Sequence, residues 1–399
     1  MNVIRQIQAF NLGREPERLG LKYSAMRADP FAFLRGSCHL FYDRLPQLGS
    51  LKSAPLAWVC GDLHLQNFGS YKGDNRLVYF DITDFDEAAL APATWDVLRL
   101  LSSVWVCASG LSLGTDPARG LCQAFLEAYC VALTAGKAYW VERETAQGQV
   151  RQLLDGLRTR ERRVFLDART TLKGKKRSLR IDGRRALPAS VAQRALVTDF
   201  MQGFAAGQAR PGFYQVLDLA RRVAGTGSLG LDRYTILVSG KGSPDGNYLL
   251  DLKQAQPSSL LPHLTVNQPP WADDAHRVVD LQRRVQAVAV AFLQPVLLDE
   301  RPFVLRGLQP TEDKIALSQP GITVADLGQT LGDMGRLLAW AQLRSAGRDG
   351  SACADELIHF GQRKKWRDAL LACSQACADQ VFKDAKAFNR AFDDGVFGV

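Results

Sequence analysis

The chain reads Gly61-Asp-Leu-His-Leu-Gln-Asn67 and, one hairpin later, Phe80-Asp-Ile-Thr-Asp-Phe-Asp-Glu87. Apolar runs adjoin both stretches: Leu56 to Cys60 stops at Gly61, and Leu77 to Ile82 follows the turn residues Lys72-Gly-Asp-Asn75. Short apolar runs bounded by turn formers predict two strands flanking a loop, with two acidic loops converging at adjacent strand ends. Asp81, Asp84, Asp86 and Glu87 repel one another in so short a span unless a cation lies between them. Alone, Asp62 and Asn67 need be no more than turn and cap residues, because short polar side chains bond their own backbone well. Their occurrence together with the acidic run points to chemistry.

Phosphoryl transfer needs an oxygen base beside the acceptor hydroxyl and hard oxygen ligands for Mg²⁺, which kinases present as Asp-x(4)-Asn followed by Asp-Phe-Gly. Asp62 and Asn67 stand five apart, as that pattern demands. Asp62 is the expected catalytic base and Asn67 a magnesium ligand. Asp84-Phe85-Asp86 occupies the place of Asp-Phe-Gly with its glycine replaced, making Asp84 the main metal ligand and Asp86 a further one. Asp96, in Pro92-Ala-Thr-Trp-Asp96, looks like the buried aspartate that follows the metal loop in aminoglycoside-type kinases, so its expected role is to orient the catalytic loop. His64 could instead join Asp62 and Asp84 in a metal-dependent phosphohydrolase. Only His39 of the other histidines lies within thirty residues, which favours a structural place for His64 in the loop.

Downstream, Gly225-Thr-Gly-Ser-Leu-Gly230 is a G-x-G-x-x-G motif. A dinucleotide fold needs a helix after it, whereas β-rich sequence (Leu231 to Val238) follows here, as in the glycine-rich loop that covers nucleotide phosphates in kinases. Gly225, Gly227, Ser228 and Gly230 are the expected phosphate-covering residues. Leu249-Leu-Asp-Leu-Lys253 then alternates and ends in a lysine, where a kinase strand presents its ammonium to the α- and β-phosphates. Lysines at strand ends are commonly solvated edge residues, and it is the preceding Gly loop that singles out Lys253. The next helix offers Asp280 as the acid that would hold that lysine, with Asp273 and Asp274 as substitutes and a solvent-facing charge as the plain alternative.

Around these motifs, residues 24 to 46 read as one helix, with Phe31, Leu34, Cys38, Phe41 and Leu45 at helical spacing. Helical pattern returns from Ala93 to Leu133, broken at Gly110 to Gly114, and continues less clearly to about Gly207. Residues 213 to 255 read as a three-stranded antiparallel unit turning at Ser243-Pro-Asp-Gly246. A helix (Asp274 to Leu293), a strand (Phe303 to Leu308) and long helices after Val324 and Ala354 complete the chain. The expected class is α+β: a small antiparallel β lobe and a large helical lobe in a protein-kinase-like arrangement. Residues 1–210 would form the catalytic and metal-loop part, 211–310 the nucleotide-binding β lobe and 311–399 the closing helices.

Taken together, Gly13-Arg-Glu-Pro-Glu-Arg18, Lys22-Tyr23, Phe31-Ala-Phe-Leu-Arg-Gly36, Gly61-Asp62, Asn67-Phe-Gly69, Asp84-Phe-Asp-Glu87 and Trp95-Asp96 resemble the family catalogued as domain of unknown function 2252. Gly225 to Gly230, Lys253-Gln-Ala255 and Gln282-Arg283 match its pattern too, so the resemblance spans most of the chain. It implies no substrate. The metal loops precede the Gly loop and lysine, the reverse of an ordinary kinase, which implies a circular permutation. The helix from Leu327 to Gln342 looks like the one preceding the catalytic loop in aminoglycoside-type kinases. Arg35 is a further candidate, either for a phosphate or acidic substrate or for a salt bridge to a loop acid.

Composition bounds the partners. With 46% apolar and 23% charged residues among 399, the chain can bury a core. No stretch is long and apolar enough to span a membrane, and the early charges Arg14, Glu15, Glu17 and Arg18 do not suit an export signal, so a cytoplasmic protein is expected. The eight scattered cysteines read as reduced thiols, without zinc-site spacing. The net charge of +9 is matched by residues 158 to 185 alone, which hold twelve Arg or Lys against Glu161, Asp167 and Asp182. That stretch attracts anionic partners, nucleic acid included, although Phe165 is its sole aromatic for base stacking and a solvated basic helix and loop explains it equally. The leading reading is an ATP- and Mg²⁺-dependent phosphotransferase acting on an unidentified acceptor. Adenylyl transfer, a nucleotide-binding regulatory pseudokinase and the phosphohydrolase remain the alternatives.

Overall fold

The computed structural model describes residues 2–46, 51, 53–318 and 321–398. The two acidic stretches lie between two antiparallel ladders. Leu56–Val59 pairs with Ala89–Pro92, Val59 opposite Ala89, and Phe68–Lys72 pairs with Val78–Ile82, Phe68 opposite Ile82. The segment Gly61–Asn67 and the segment Thr83–Ala88 therefore run side by side from one ladder to the other. Phe68, Phe80 and Ile82 are fully buried, which fixes the register of the second ladder, since a one-residue slip would turn its apolar face outward.

Helices enclose these ladders. Thr94–Gly110 and Thr115–Ala135 are separate helices broken where the glycines predict. Val324–Arg344 and Lys365–Asp393 come back from the end of the chain to pack on them. Buried polar contacts set the pairing: Trp105 Nε1 donates to Ser374 Oγ (3.0 Å), Tyr129 Oη to Gln342 Oε1 (2.6 Å), and Gln342 Nε2 to Ala93 O (3.2 Å). The last contact ties the C-terminal helix pair to the turn that opens Thr94–Gly110.

The expected single helix over 24–46 is three: Pro16–Ala28, Pro30–Gly36 and Cys38–Asp43. Asp29 breaks the run because a residue before proline is driven out of the α region, and its carboxylate then caps Phe31 N and Ala32 N. The expected helix from Asp274 ends at Val285, where Gln286 turns extended and donates through Nε2 to Ile82 O (2.6 Å).

The three-stranded unit is part of a larger sheet. Six antiparallel strands lie in the order Gln294–Leu298, Arg301–Gly307, Tyr248–Gln254, Arg233–Val238, Val216–Arg222 and Ala186–Leu187. Helix Val191–Ala206 lays Val197 and Met201 on this sheet against Leu219, Ile236 and Leu250, forming a second apolar core. Each such fully buried side chain stabilises the fold by roughly 1.5–3 kcal/mol. Residues 186–206 therefore pack with the sheet, which corrects their expected place among the helices. The basic stretch is also more ordered than a helix and loop: it holds a hairpin, Thr170–Lys173 with Lys176–Leu179, whose Arg177 is buried between Asp167 and Asp245.

The chain is an α+β protein with antiparallel sheets throughout its described residues.

Candidate functional site

The Gly61–Asn67 loop is held from behind by Asp96, in the first turn of helix Thr94–Gly110. The Asp96 carboxylate accepts Cys60 N (2.7 Å) and Gly61 N (2.9 Å). Burial without a cationic partner raises its pKa to about 7, against the pull of those two donors. This is the positioning place expected for Asp96. Gly61 adopts φ +81°, and a Cβ there would lie 2.3 Å from Glu87 O, so only glycine lets the two acidic loops touch.

Within the loop, Asn67 Nδ2 donates to Asp62 O (2.6 Å), and Thr83 N donates to Asn67 O (2.8 Å). With its side-chain nitrogen committed, Asn67 keeps its side-chain Oδ1 without a donor among the described residues. Asp62 is gripped by Arg99, whose Nε and Nη2 both donate to Asp62 Oδ1 (3.0 and 2.6 Å). Burial raises the Asp62 pKa and Arg99 opposes it, with a net upward displacement that suits a proton acceptor.

Asp84 faces this loop. Burial works against its ionisation, but the charges of Lys253, Arg306, Lys314 and Arg233 outweigh it and hold its pKa at about 2. Lys253 Nζ contacts Asp86 Oδ2 and lies 3.9 Å from Asp84 Oδ1. Lysine and metal loop are thus brought together from positions far apart in the chain. Arg233 lies one strand over and clasps Asp251 bidentately (2.8 and 2.6 Å), with Arg222 also on Asp251 (2.8 Å).

The Gly loop joins strands Val216–Arg222 and Arg233–Val238 and closes the cleft from above. Gly230 has φ +90°, and a Cβ there would meet Arg14 Cβ at 2.8 Å. Arg14 Nη1 donates to Gly227 O (2.7 Å) and Leu229 O (2.9 Å), while Lys22 Nζ donates to Gly227 O (3.3 Å) and Asn11 Oδ1 (2.7 Å). Arg14, in the turn between the first two helices, and Lys22, in the second of them, therefore hold the loop's carbonyls.

A cleft of about 470 Å³ results. Gly225, Gly227, Ser228 and Gly230 line one side, and Asp62, His64, Asn67, Asp84, Asp86 and Arg35 another. Lys253 reaches these residues through Asp86. Asp280 does not join them: among the described residues Lys253 pairs with Asp84 and Asp86, while Asp273 caps His276 N and Asp274 pairs with Arg277. The residue of that helix which does reach the site is Arg277. It donates to Ala88 O (2.7 Å), Asp86 O (2.9 Å) and Gln256 O (2.8 Å), bracing the metal loop by its backbone. His64 is buried and neutral, burial lowering its pKa well below the usual range, and its Nδ1 accepts Gln66 N (3.2 Å). This is the structural alternative for His64. Arg35 makes no salt bridge to a loop acid among the described residues; its Nη1 donates to Gln66 Oε1 (2.6 Å).

Sequence reasoning missed Arg99, Arg277 and Lys314. Arg99 alone had a local signal, one helical turn after Asp96 on the same buried face.

Among the described residues no three His, Cys, Asp or Glu side chains form a ready metal-binding group. Mg²⁺ needs no such cage, since it is commonly held by one or two protein oxygens together with substrate phosphates. The Asn67 side-chain Oδ1 and the ionised Asp84 carboxylate are donors of that kind, and Lys253 beside them supplies a cation for phosphate. The residues present fit the pair of groups.

Neither curated proteins nor solved structures give a match to the chain. A family model matches residues 14–391, a span that includes every residue of the cleft just described except those before Arg14. The chain belongs to the family described as an uncharacterized protein conserved in bacteria (DUF2252).

Proposed function

We propose that the protein is a Mg²⁺-dependent, kinase-like phosphotransferase that uses ATP, built on a circularly permuted kinase-like fold. The observation that carries this reading is the meeting of Lys253 with Asp84 and Asp86 beneath a Gly loop, opposite the Asp62–Asn67 loop. A glycine-rich loop between two strands, a lysine on the next strand and a helix after it follow the order in which a kinase assembles its nucleotide site.

Each residue then has a task. Lys253 exchanges Asp86 for the α- and β-phosphates. Asn67 and Asp84 would hold Mg²⁺, which when bound would supply charge neutralisation on the phosphates. The Gly225–Gly230 backbone covers the phosphates from above. Asp62, kept in place by Arg99 and by its own carbonyl's bond to Asn67, takes the acceptor hydroxyl's proton as that oxygen bonds the transferred phosphorus and the bond to the leaving nucleotide breaks. Catalysis rests on positioning and charge neutralisation.

A second reading is a regulatory pseudokinase. It is favoured by Asp86, which stands where a glycine is expected and occupies Lys253.

The test is calorimetric titration with ATP, with and without Mg²⁺, on the wild type, Lys253→Ala and Asp84→Asn. Magnesium-dependent binding weakened by both substitutions supports the nucleotide site. Binding without any turnover over an acceptor panel favours the pseudokinase, and no binding by folded wild type overturns both readings.

A further inference from the structure

Of the cations lining the cleft, Arg14, Arg35 and Lys314 make no ion pair among the described residues, and Arg14 is committed to the Gly227 and Leu229 carbonyls, which leaves Arg35 and Lys314. Lys314 follows the short turn Thr311–Asp313, and its backbone is fixed on both sides: it bridges Gly69, in the strand that leaves Asn67, and the preceding Asp313 carboxylate pairs with Arg160. Asp313 O lies so near Gly69 that a Cβ there would approach it to 2.8 Å. The Lys314 side chain, placed by that locked backbone in the cleft, makes no hydrogen bond and no ion pair among the described residues.

Arg35 ends helix Pro30–Gly36 under the tip of the Gly loop, its carbonyl oxygen 3.2 Å from where a Gly227 Cβ would lie. One guanidinium nitrogen serves the neutral Gln66, and Nε is buried with no hydrogen-bond partner among the described residues. The nearby acid they share, Asp84, is already compensated by Lys253, Arg233 and Arg306. Burial and the charge of Arg35 together lower the Lys314 pKa to about 7, with Asp84 only partly opposing them. Asp62 and Asp29 also act on Arg35, and an anion bound between the two cations would favour the charged form of Lys314.

We propose that Lys314 and Arg35 form an oxyanion subsite beside Asp84 that takes a phosphate-type group, either the terminal phosphate of the nucleotide or an anionic group on the acceptor. A forked guanidinium and a point-charge ammonium suit a tetrahedral oxyanion, one supplying direction and the other charge. No cation lies in the Asp62–Asn67 loop itself, so Lys314 brings positive charge to that side of Asp84 from a distant part of the chain. This deepens the phosphotransferase reading and rests on it for the identity of the anion, though not for its existence.

The experiment is calorimetry on the full chain with inorganic pyrophosphate without Mg²⁺, then with MgADP and MgATP, for wild type, Lys314→Met, Lys314→Arg and Arg35→Met. Pyrophosphate binding is expected to weaken roughly tenfold or more in Lys314→Met and Arg35→Met. Lys314→Arg, which keeps the charge, is expected to bind as wild type does. If the subsite takes the terminal phosphate, Lys314→Met loses affinity for MgATP and not for MgADP. If it takes the acceptor's anion, both nucleotides bind as in wild type and pyrophosphate alone weakens. Pyrophosphate binding that depends on Lys314 in a protein that binds no nucleotide keeps the subsite and sinks the kinase reading. Pyrophosphate binding unchanged in both Met variants, or lost equally in Lys314→Met and Lys314→Arg, overturns the proposal.

Discussion

Gly61 packs directly against Glu87: a Cβ on Gly61 would stand 2.3 Å from the Glu87 carbonyl oxygen and 2.8 Å from its Cβ, and Gly61 already holds φ +81°. The contact lets the Gly61–Asn67 loop and the Asp84–Glu87 loop share one cleft. Gly61→Ala must both strain the left-handed backbone and push the loops apart, costing about 2–4 kcal/mol. Urea denaturation should show that loss, and Mg²⁺-dependent nucleotide binding should weaken with it. Unchanged stability would mean that the loops separate freely and that their contact positions nothing.

Asp62, the proposed base, also pairs with a buried arginine. Its Oδ1 takes two bonds from Arg99, whose side chain is fully buried. Asp62→Asn is expected to lower transfer by roughly 10²–10⁴-fold while nucleotide still binds. It should also cost about 3 kcal/mol, because a buried guanidinium loses its counter-charge. Transfer at the wild-type rate would remove Asp62 as the base. Lost transfer with unchanged stability would show that Arg99 finds another partner.

The contrast between Asp62 and Arg99 shows what the sequence could tell. Asp62, Asn67 and Asp84 are legible because their spacing lies within single loops, where turn residues and apolar runs mark the strands on each side. Gly230 and Lys253 are legible for the same local reason. Arg277 and Lys314 are not, since each reaches the site only when segments some two hundred residues apart in sequence pack together, Arg277 against Ala88 and Lys314 against Gly69. A surface arginine on an amphipathic helix has the same local pattern. The sheet was half visible for a related reason: the run 213–255 alternates along continuous strands, whereas Ala186–Leu187 is two residues long and joins the sheet through Arg221 and Arg222.

Arg277, and not Asp280, is the residue of its helix that contacts the segment following Asp84. Its guanidinium saturates three backbone carbonyls, two of them in the segment following Asp84. Arg277→Ala leaves those carbonyls without donors and should cost about 3 kcal/mol, with weaker Mg²⁺-ATP binding. Asp280→Ala should change stability by less than about 0.5 kcal/mol and leave nucleotide affinity as it is. Paired thermal melts and titrations separate the two. A large loss of ATP affinity in Asp280→Ala would restore it as the acid that holds Lys253.

Asp96 should make stability fall as pH rises through the weakly acidic range. Unfolded, it titrates near the ordinary aspartate value of about 3.9. Folded, burial lifts it to about 7, with the N–H groups of Cys60 and Gly61 only partly offsetting the cost of the buried charge. Between those values the native state holds a proton that the unfolded chain has released. The Asp96 contribution is therefore most favourable below pH 4, and it declines by up to roughly 4 kcal/mol as pH approaches 7, then levels off. Asp96→Asn cannot titrate. It sacrifices one of two acceptor oxygens, which lowers stability at acid pH, but its stability should lack this slope. Urea midpoints of wild type and Asp96→Asn from pH 4.5 to 8 should accordingly converge as pH rises. A constant offset between them would mean that Asp96 stays ionised in the native protein, and that its two backbone bonds alone account for the loop's position.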